Sequence, residues 1–168
     1  MYRRLFRNRN FASLWVGQLI SFIGDYFVML AIPIVINRLA GSAMMVGFSY
    51  MAAALPALFL GPIAGVFIDR WDRRKVMIAA DVIRAALVLI LLSVNTKDQV
   101  WVFYLVNFLI ACTSQFFFPA RNAILPLLVE KKEDWLAANG LMQVIWTVGF
   151  LAGPALAGFS IGLWGEKV

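Results

Sequence analysis

Five long apolar runs, separated by short polar segments, dominate the pattern of hydrophobic and polar positions along this chain. Each run is long enough to cross a bilayer as a helix, because a helix rises about 1.5 Å per residue and the hydrocarbon core is about 30 Å thick. We therefore predict an all-α membrane protein with five transmembrane helices. They cover residues 11–36, 44–68, 76–94, 100–119 and 135–163.

Lys and Arg residues are concentrated in alternate segments between the runs. Eleven of the fifteen fall in the amino-terminal segment, the second connection and the fourth connection. The positive-inside rule then places the amino terminus in the cytoplasm. The first run is too long for the apolar region of a signal peptide, so we interpret it as a retained helix. The eleven are Arg3, Arg4, Arg7, Arg9, Arg70, Arg73, Arg74, Lys75, Arg121, Lys131 and Lys132.

The connection between the second and third runs carries six charges in one short turn. Residues 65–75 read Gly-Val-Phe-Ile-Asp-Arg-Trp-Asp-Arg-Arg-Lys. This segment resembles the loop between helices 2 and 3 of the major facilitator superfamily, written G-x-L-a-D-R-x-G-R-R/K. Phe67 and Asp72 stand where the family has Leu and Gly, a variant similar to macrolide-efflux and siderophore-export permeases. The matching residues are Gly65, Asp69, Arg70, Arg73 and Arg74.

The resemblance implies a conformational role for this loop. In the family, the Asp that corresponds to Asp69 helps to latch the two halves of the transporter in the outward-open state. Asp81 and Arg84 lie three residues apart in the third run and can pair on one helix face. This pair is either a structural ion pair or part of a charge network that exchanges partners during transport. The predicted network comprises Asp69, Arg70, Arg73, Arg74, Asp81 and Arg84.

The resemblance also implies that residues 1–168 form an incomplete amino-terminal transmembrane domain. A facilitator half has six helices in two inverted three-helix repeats, so further carboxyl-terminal helices are expected as partners. Gly61 and Gly153 each precede a proline and lie at the same distance from Met44 and Leu136, as a repeat would require. Chance is the alternative, since Gly and Pro are common in membrane helices.

Small residues in the fifth run resemble the antiporter motif of fifth helices in facilitator exporters, with Ala157 replacing one Gly. Small residues let helices approach closely, and a proline removes a backbone donor and bends the helix. Generic small-residue packing is the alternative interpretation. The motif residues are Gly140, Gly149, Gly153, Pro154 and Gly158.

Polar side chains within the apolar runs are candidates for a transport cavity, because such groups are costly in the bilayer. Gln18 and Asp25 lie two turns apart on one face of the first helix. Asp25 either binds a proton or a cationic substrate, or is a structural carboxylate. The predicted cavity residues are Gln18, Asp25, Asn107, Gln115, Gln143 and Thr147.

Composition agrees with the membrane class: 62% of the residues are hydrophobic and the mean hydropathy is +0.83. The basic residues flank apolar runs, so the net charge of +6 favours anionic lipid headgroups over nucleic acid as partners. With one cysteine, Cys112, and no histidine, the sequence predicts no metal site, no cofactor and no enzyme. It has no nucleotide-binding loop of the G-x-x-x-x-G-K type, so transport is expected to be driven by an ion gradient.

The resemblance to facilitator exporters implies a secondary active exporter of a drug-like or siderophore-like molecule, working by alternating access in a bacterial inner membrane. Its expected partners are the small-molecule substrate, a coupling ion, which we expect to be a proton, and membrane lipid. The fourth run has no charge before Arg121, although many proton-coupled drug antiporters of the family have an Arg there, so coupling through that residue is in doubt. The alternative is a truncated, non-transporting membrane fragment or scaffold.

Overall fold

The computed structural model describes residues 2–129 and 131–164, and this part of the chain is helical. Short 3-10 turns, Lys97–Gln99 and Lys132–Asp134, lead into the last two helices. The α-helices are α1 (Tyr2–Arg7), α2 (Arg9–Ala40), α3 (Ala43–Ile68), α4 (Arg73–Leu91), α5 (Val100–Leu128) and α6 (Trp135–Trp164).

The all-helical prediction is confirmed, and helices α2 to α6 correspond to the five predicted runs. Among the described residues, four segments are long and apolar enough to cross a membrane: Arg9–Ala40, Ala43–Ile68, Lys97–Leu128 and Trp135–Leu163. Helix α4 is outside this set because it carries five charged residues, at positions 73, 74, 75, 81 and 84. The crossing by α4, and with it the five-span count, stays a prediction.

The predicted end of the fourth helix at Pro119 is wrong. Helix α5 continues through Pro119 and ends at Leu128, so Arg121 lies within the helix and not in the connection that follows it. Proline is tolerated inside membrane helices because neighbouring groups satisfy the backbone acceptor that it leaves. The apolar run of the sequence ends at Pro119, but the helix continues past this residue.

Local capping explains the two ends of α2. The side-chain Oδ1 of Asn8 accepts hydrogen bonds from the backbone N–H groups of Asn10 (3.0 Å) and Phe11 (3.4 Å), which satisfies donors at the start of the helix. At the other end, Gly41 adopts φ = 62°, a left-handed conformation that favours glycine and stops the helix. Helix α2 therefore extends beyond the predicted apolar run at both ends.

The chain divides into two compact units. The first comprises Met1–Ala31 and Ala123–Val168, and the second comprises Ile32–Asn122. Phe11, Phe22 and Ile145 are buried in the first unit. In the second unit the largest fully buried side chains are Ile36, Pro56, Ile68, Val106, Phe117 and Ser49.

Large apolar side chains are also widely exposed. Leu58 and Phe59 on α3 are each 70% exposed, and Leu136 on α6 is 81% exposed. A soluble monomer rarely leaves so much apolar surface in water, whereas lipid tails solvate it without cost. The exposed surface therefore agrees with the membrane class that composition predicts.

Candidate functional site: a charged turn, an arginine contact and a glycine contact

The charged turn begins where α3 ends. The backbone N–H of Asp69 donates to the carbonyl of Gly65 at 3.2 Å, and those of Arg70 and Trp71 donate to the carbonyl of Phe67 at 3.1 Å. These bonds satisfy carbonyls at the helix end and close the turn within a few residues. The side chains of Asp69 and Arg70 are left exposed at the end of the helix pair.

Asp72 begins the next helix by capping it. One carboxylate oxygen, Oδ1, accepts hydrogen bonds from the backbone N–H groups of Arg74 (3.0 Å) and Lys75 (3.1 Å). An aspartate at this position stabilises a helix start by about 1 kcal/mol. Helix α4 therefore starts at Arg73, earlier than the predicted residue 76. The family glycine at this position has no side chain that could cap the helix.

Arg84 on α4 is only 5% exposed. Its Nη1 lies 3.6 Å from the carboxylate of Asp81, and its Nε donates to the hydroxyl of Thr113 on α5 at 3.2 Å. The guanidinium carbon lies 4.3 Å from the centre of the Phe117 ring. A planar guanidinium is suited to this combination of ion pair, hydrogen bond and aromatic contact. The arginine thus joins α4 to α5.

The structure brings together two members of the predicted charge network, Asp81 and Arg84. The partners Thr113 and Phe117 were not predicted as site residues, although they lie four apart and so share one face of α5. Asp69, Arg70, Arg73 and Arg74 lie at the turn and in the first turn of α4. Participation of all six residues in one switching network stays a prediction.

The glycine motif of α6 separates into two kinds of position. A Cβ at Gly153 would lie 2.6 Å from the Cβ of Tyr26 and 2.8 Å from the Ile23 carbonyl oxygen and the Phe27 nitrogen of α2. A Cβ at Gly149 would lie 3.0 Å from the Tyr26 ring. At the remaining motif glycines, 140 and 158, no described atom of another helix lies within 4 Å of an added Cβ. The close helix contact depends on two of the four glycines.

The predicted cavity residues fall into different environments. Gln18 is 2% exposed, and its buried Oε1 accepts no hydrogen bond from the described residues. Asn107 donates to the backbone carbonyl of Ser49 at 2.8 Å, which ties α5 to α3. Gln115 Oε1 would lie 3.5 Å from a Cβ at Gly61. The remaining three are Asp25, which is partly exposed, and Gln143 and Thr147, which are exposed on α6.

Comparison with known proteins gives a consistent family assignment. Residues 14–166 match the family model of the Major Facilitator Superfamily. The chain is similar to macrolide efflux protein A of Streptococcus pyogenes, with 33% identity over 156 residues, covering 92% of this chain and 38% of that protein. Macrolide efflux protein A of Enterococcus faecalis is 36% identical over 126 residues, covering 74% of this chain and 38% of that protein.

A putative bacilysin exporter of Bacillus subtilis is 29% identical over 149 residues, covering 89% of this chain and 36% of the exporter. The chain spans about two-fifths of the length of these relatives. No solved structure matches the chain. The resemblance to facilitator exporters drawn from the charged loop is confirmed by these likenesses.

Proposed function

Because this chain belongs to the major facilitator superfamily, a family of membrane transporters and not of enzymes, we propose that it forms the amino-terminal part of an exporter. The observation that carries this proposal is the likeness to macrolide efflux protein A over 92% of the chain. The proposed substrate class is an apolar, drug-like small molecule. Transport proceeds by alternating access and is driven by an ion gradient, with a proton as the proposed coupling ion.

The proposed orientation has the amino terminus and the charged turn in the cytoplasm and five crossings, including α4. The asymmetry of Lys and Arg supports it. The ion pair of Asp81 with Arg84 also supports the crossing by α4, because pairing lowers the cost of charges in the bilayer.

This topology can be tested with single-cysteine variants, since Cys112 is the one cysteine in residues 1–168 and can be replaced by Ser. Cysteines at Ser42 and Asp98 should react with a membrane-impermeant thiol reagent added to intact cells. Cysteines at Arg73 and Lys131 should react only after the membrane is opened. Labelling of the Arg73 position from outside would reverse the proposed orientation.

Asp69 is proposed as the conformational latch of the transporter. Its exposed carboxylate at the end of α3 is placed to meet a partner that the described residues do not include. The decisive experiment measures uphill macrolide export by the full-length protein in inverted vesicles, with and without collapse of the proton gradient. Asp69→Asn should lower turnover strongly, because the substitution removes the charge of the latch. Membrane abundance should stay normal, because the local backbone hydrogen bonds do not use the Asp69 carboxylate.

Asp98→Asn is the matched control, since Asp98 is an exposed carboxylate in the connection before α5. It should transport at the parental rate. Parental export by Asp69→Asn would refute the latch. If the parental full-length protein exports neither macrolides nor other apolar, drug-like compounds, the proposed substrate class is wrong.

We place Gln18 and Asp25 in the substrate or proton pathway. They share one face of α2, and the buried Oε1 of Gln18, which accepts no hydrogen bond from the part of the chain that the structure describes, supports a polar ligand near that face. Asp25→Asn keeps the shape of the side chain and removes its charge. Gradient-driven export should be lost while insertion is kept, and export with unchanged pH dependence would remove Asp25 from the pathway.

A further inference from the structure

A cavity of about 600 Å³ lies beside the charged turn, between the start of α4 and the facing side of α5. Its volume is within the range of about 300–1,000 Å³ that small-ligand sites occupy. All residues that line it belong to the second compact unit, Ile32–Asn122. The alternating-access function described above does not require this cavity.

The cavity is polar at one end and apolar along its length. Arg70, Asp72 and Lys75 line the end at the turn. From Val76 to Ile83 the α4 wall is apolar, and this stretch extends about 10 Å at about 1.5 Å per residue. A ligand that fits such a wall has a polar head and an apolar tail.

The end of the cavity lined by Arg70, Asp72 and Lys75, here called the mouth, has a charge that favours an anionic head. Two cations, Arg70 and Lys75, line this end together with one carboxylate, Asp72, whose Oδ1 already accepts two backbone hydrogen bonds. The mouth also lies at the amino-terminal end of α4, where the helix dipole favours negative charge. The remaining charge of the mouth is therefore complementary to a phosphate group.

Aromatic and hydroxyl side chains complete the opposite wall. The rings of Trp71 and Phe116 are nearly parallel, with centroids 6.1 Å apart, and Trp71 is 50% exposed. A half-exposed tryptophan is typical of the membrane interface. The hydroxyl of Thr113 is occupied by Arg84 and by the carbonyl of Ile110, at 3.2 and 2.7 Å. This wall therefore suits a lipid tail better than a polar ligand.

We propose that this cavity is a binding site for an anionic phospholipid. The phosphate lies between Arg70 and Lys75, and one acyl chain follows the α4 wall from Val76 towards Ile83. The orientation rests on the proposed topology, which puts the mouth at the cytoplasmic leaflet, where anionic lipids attract Lys and Arg. The lipid would fill the space between α4 and α5 next to the Arg84 contact. Because residues of the charged turn line the same cavity, the bound lipid would stabilise the conformation of that turn.

The test compares lipids retained by the full-length protein in native mass spectrometry, after reconstitution with equal phosphatidylglycerol and phosphatidylcholine. The parental protein should retain phosphatidylglycerol preferentially. The variant Arg70→Gln with Lys75→Gln should lose that preference by about thirtyfold, because two cationic contacts to the headgroup are removed. The control, Arg38→Gln with Lys97→Gln, removes the same amount of charge from exposed positions of the same unit. It should keep the parental preference for phosphatidylglycerol.

A second variant separates a seated lipid from general attraction to a charged surface. Ala79→Phe fills the α4 wall without changing charge, and it should also lower phosphatidylglycerol retention. Retention that depends on the cations but not on Ala79 would overturn the cavity as the site. Displacement of the lipid by inorganic phosphate alone would identify a free anion as the ligand and would also overturn the proposal.

These readouts do not involve transport. A protein that exports macrolide but shows no lipid preference refutes the lipid site and leaves the proposed function intact. A protein that binds phosphatidylglycerol through Arg70 and Lys75 but exports nothing refutes the proposed function and leaves the lipid site intact.

Discussion

Two helix contacts in this chain are built in opposite ways. Within the first unit, α6 meets α2 where Gly149 and Gly153 leave no room for a side chain. Within the second unit, α4 meets α5 through the large, charged side chain of Arg84. Both solve the same problem, because helices in lipid gain little from the hydrophobic effect and must associate through close packing or polar contacts.

The difference lies in what each contact tolerates. The glycine contact excludes added atoms, since the α2 atoms next to Gly153 include backbone, which cannot rotate away. The arginine contact does not tolerate a smaller, neutral side chain, since removal of the guanidinium removes the ion pair with Asp81 and the cation–π contact with Phe117. Insertion of a methyl group should therefore damage the first contact, and deletion of a charge should damage the second.

The largest effect is expected for Gly153→Ala. The new Cβ would lie 2.6 Å from the Cβ of Tyr26 and 2.8 Å from two backbone atoms of α2. We expect a loss of stability at the upper end of the about 1–3 kcal/mol typical of overpacking. Thermal unfolding of the full-length protein in detergent should show a lower midpoint.

The matched control is Gly158→Ala on the same helix, where no described atom of another helix lies within 4 Å of the new methyl group. It should be neutral or slightly stabilising, because alanine favours a helix over glycine by up to about 1 kcal/mol. Gly149→Ala should fall between the two, since the Tyr26 ring can move. Equal midpoints for the three variants would show that the α2–α6 contact is looser than the structure indicates.

A smaller effect is expected for Arg84→Met, which keeps an apolar stem and removes the charge. We expect a loss of about 2 kcal/mol. This is less than for a fully buried pair, because the Asp81 side chain is 40% exposed and water can solvate it. Arg84→Lys should recover part of the loss, since an ammonium keeps the charge but lacks the planar fork.

Arg38→Met serves as the control for Arg84, because Arg38 is exposed and lies in the same unit. Its unfolding midpoint should match that of the parental protein. A double-mutant cycle with Thr113→Val should then show coupling between residues 84 and 113. Additive losses would mean that the 3.2 Å hydrogen bond contributes nothing to the contact between α4 and α5.

The sequence was sufficient to predict the five long helices α2 to α6, because their apolar runs are long and their separators are polar, but it did not predict the short helix α1. It was less reliable where a single side chain decides a boundary. Asp72 replaces a family glycine, and the replacement itself did not indicate that its carboxylate caps α4 and starts that helix at Arg73, three residues before the predicted start. Pro119 was interpreted as a helix end, although a membrane helix can continue through proline.

The helix contacts were predictable only in part. Asp81 and Arg84 are close in sequence, so their pairing follows from helix geometry. Thr113 lies 29 positions from Arg84, and nothing in a single sequence specifies that α5 presents this hydroxyl to α4. For the same reason the motif in the sequence does not specify which of its glycines contact α2, whereas the structure distinguishes Gly149 and Gly153 from the others.

The smallest effect tests whether the first unit also depends on a polar contact. The indole Nε1 of Trp15 on α2 donates to the Leu141 carbonyl of α6 at 3.0 Å. Trp15→Phe removes this hydrogen bond and keeps an aromatic ring, so we expect a loss of about 1 kcal/mol or less. Trp101→Phe, at a tryptophan that is 60% exposed on α5, is the control and should leave the unfolding midpoint unchanged. If Trp15→Phe lowers the midpoint more than Gly153→Ala does, polar contacts hold both units together, and the contrast between a steric and a polar contact fails.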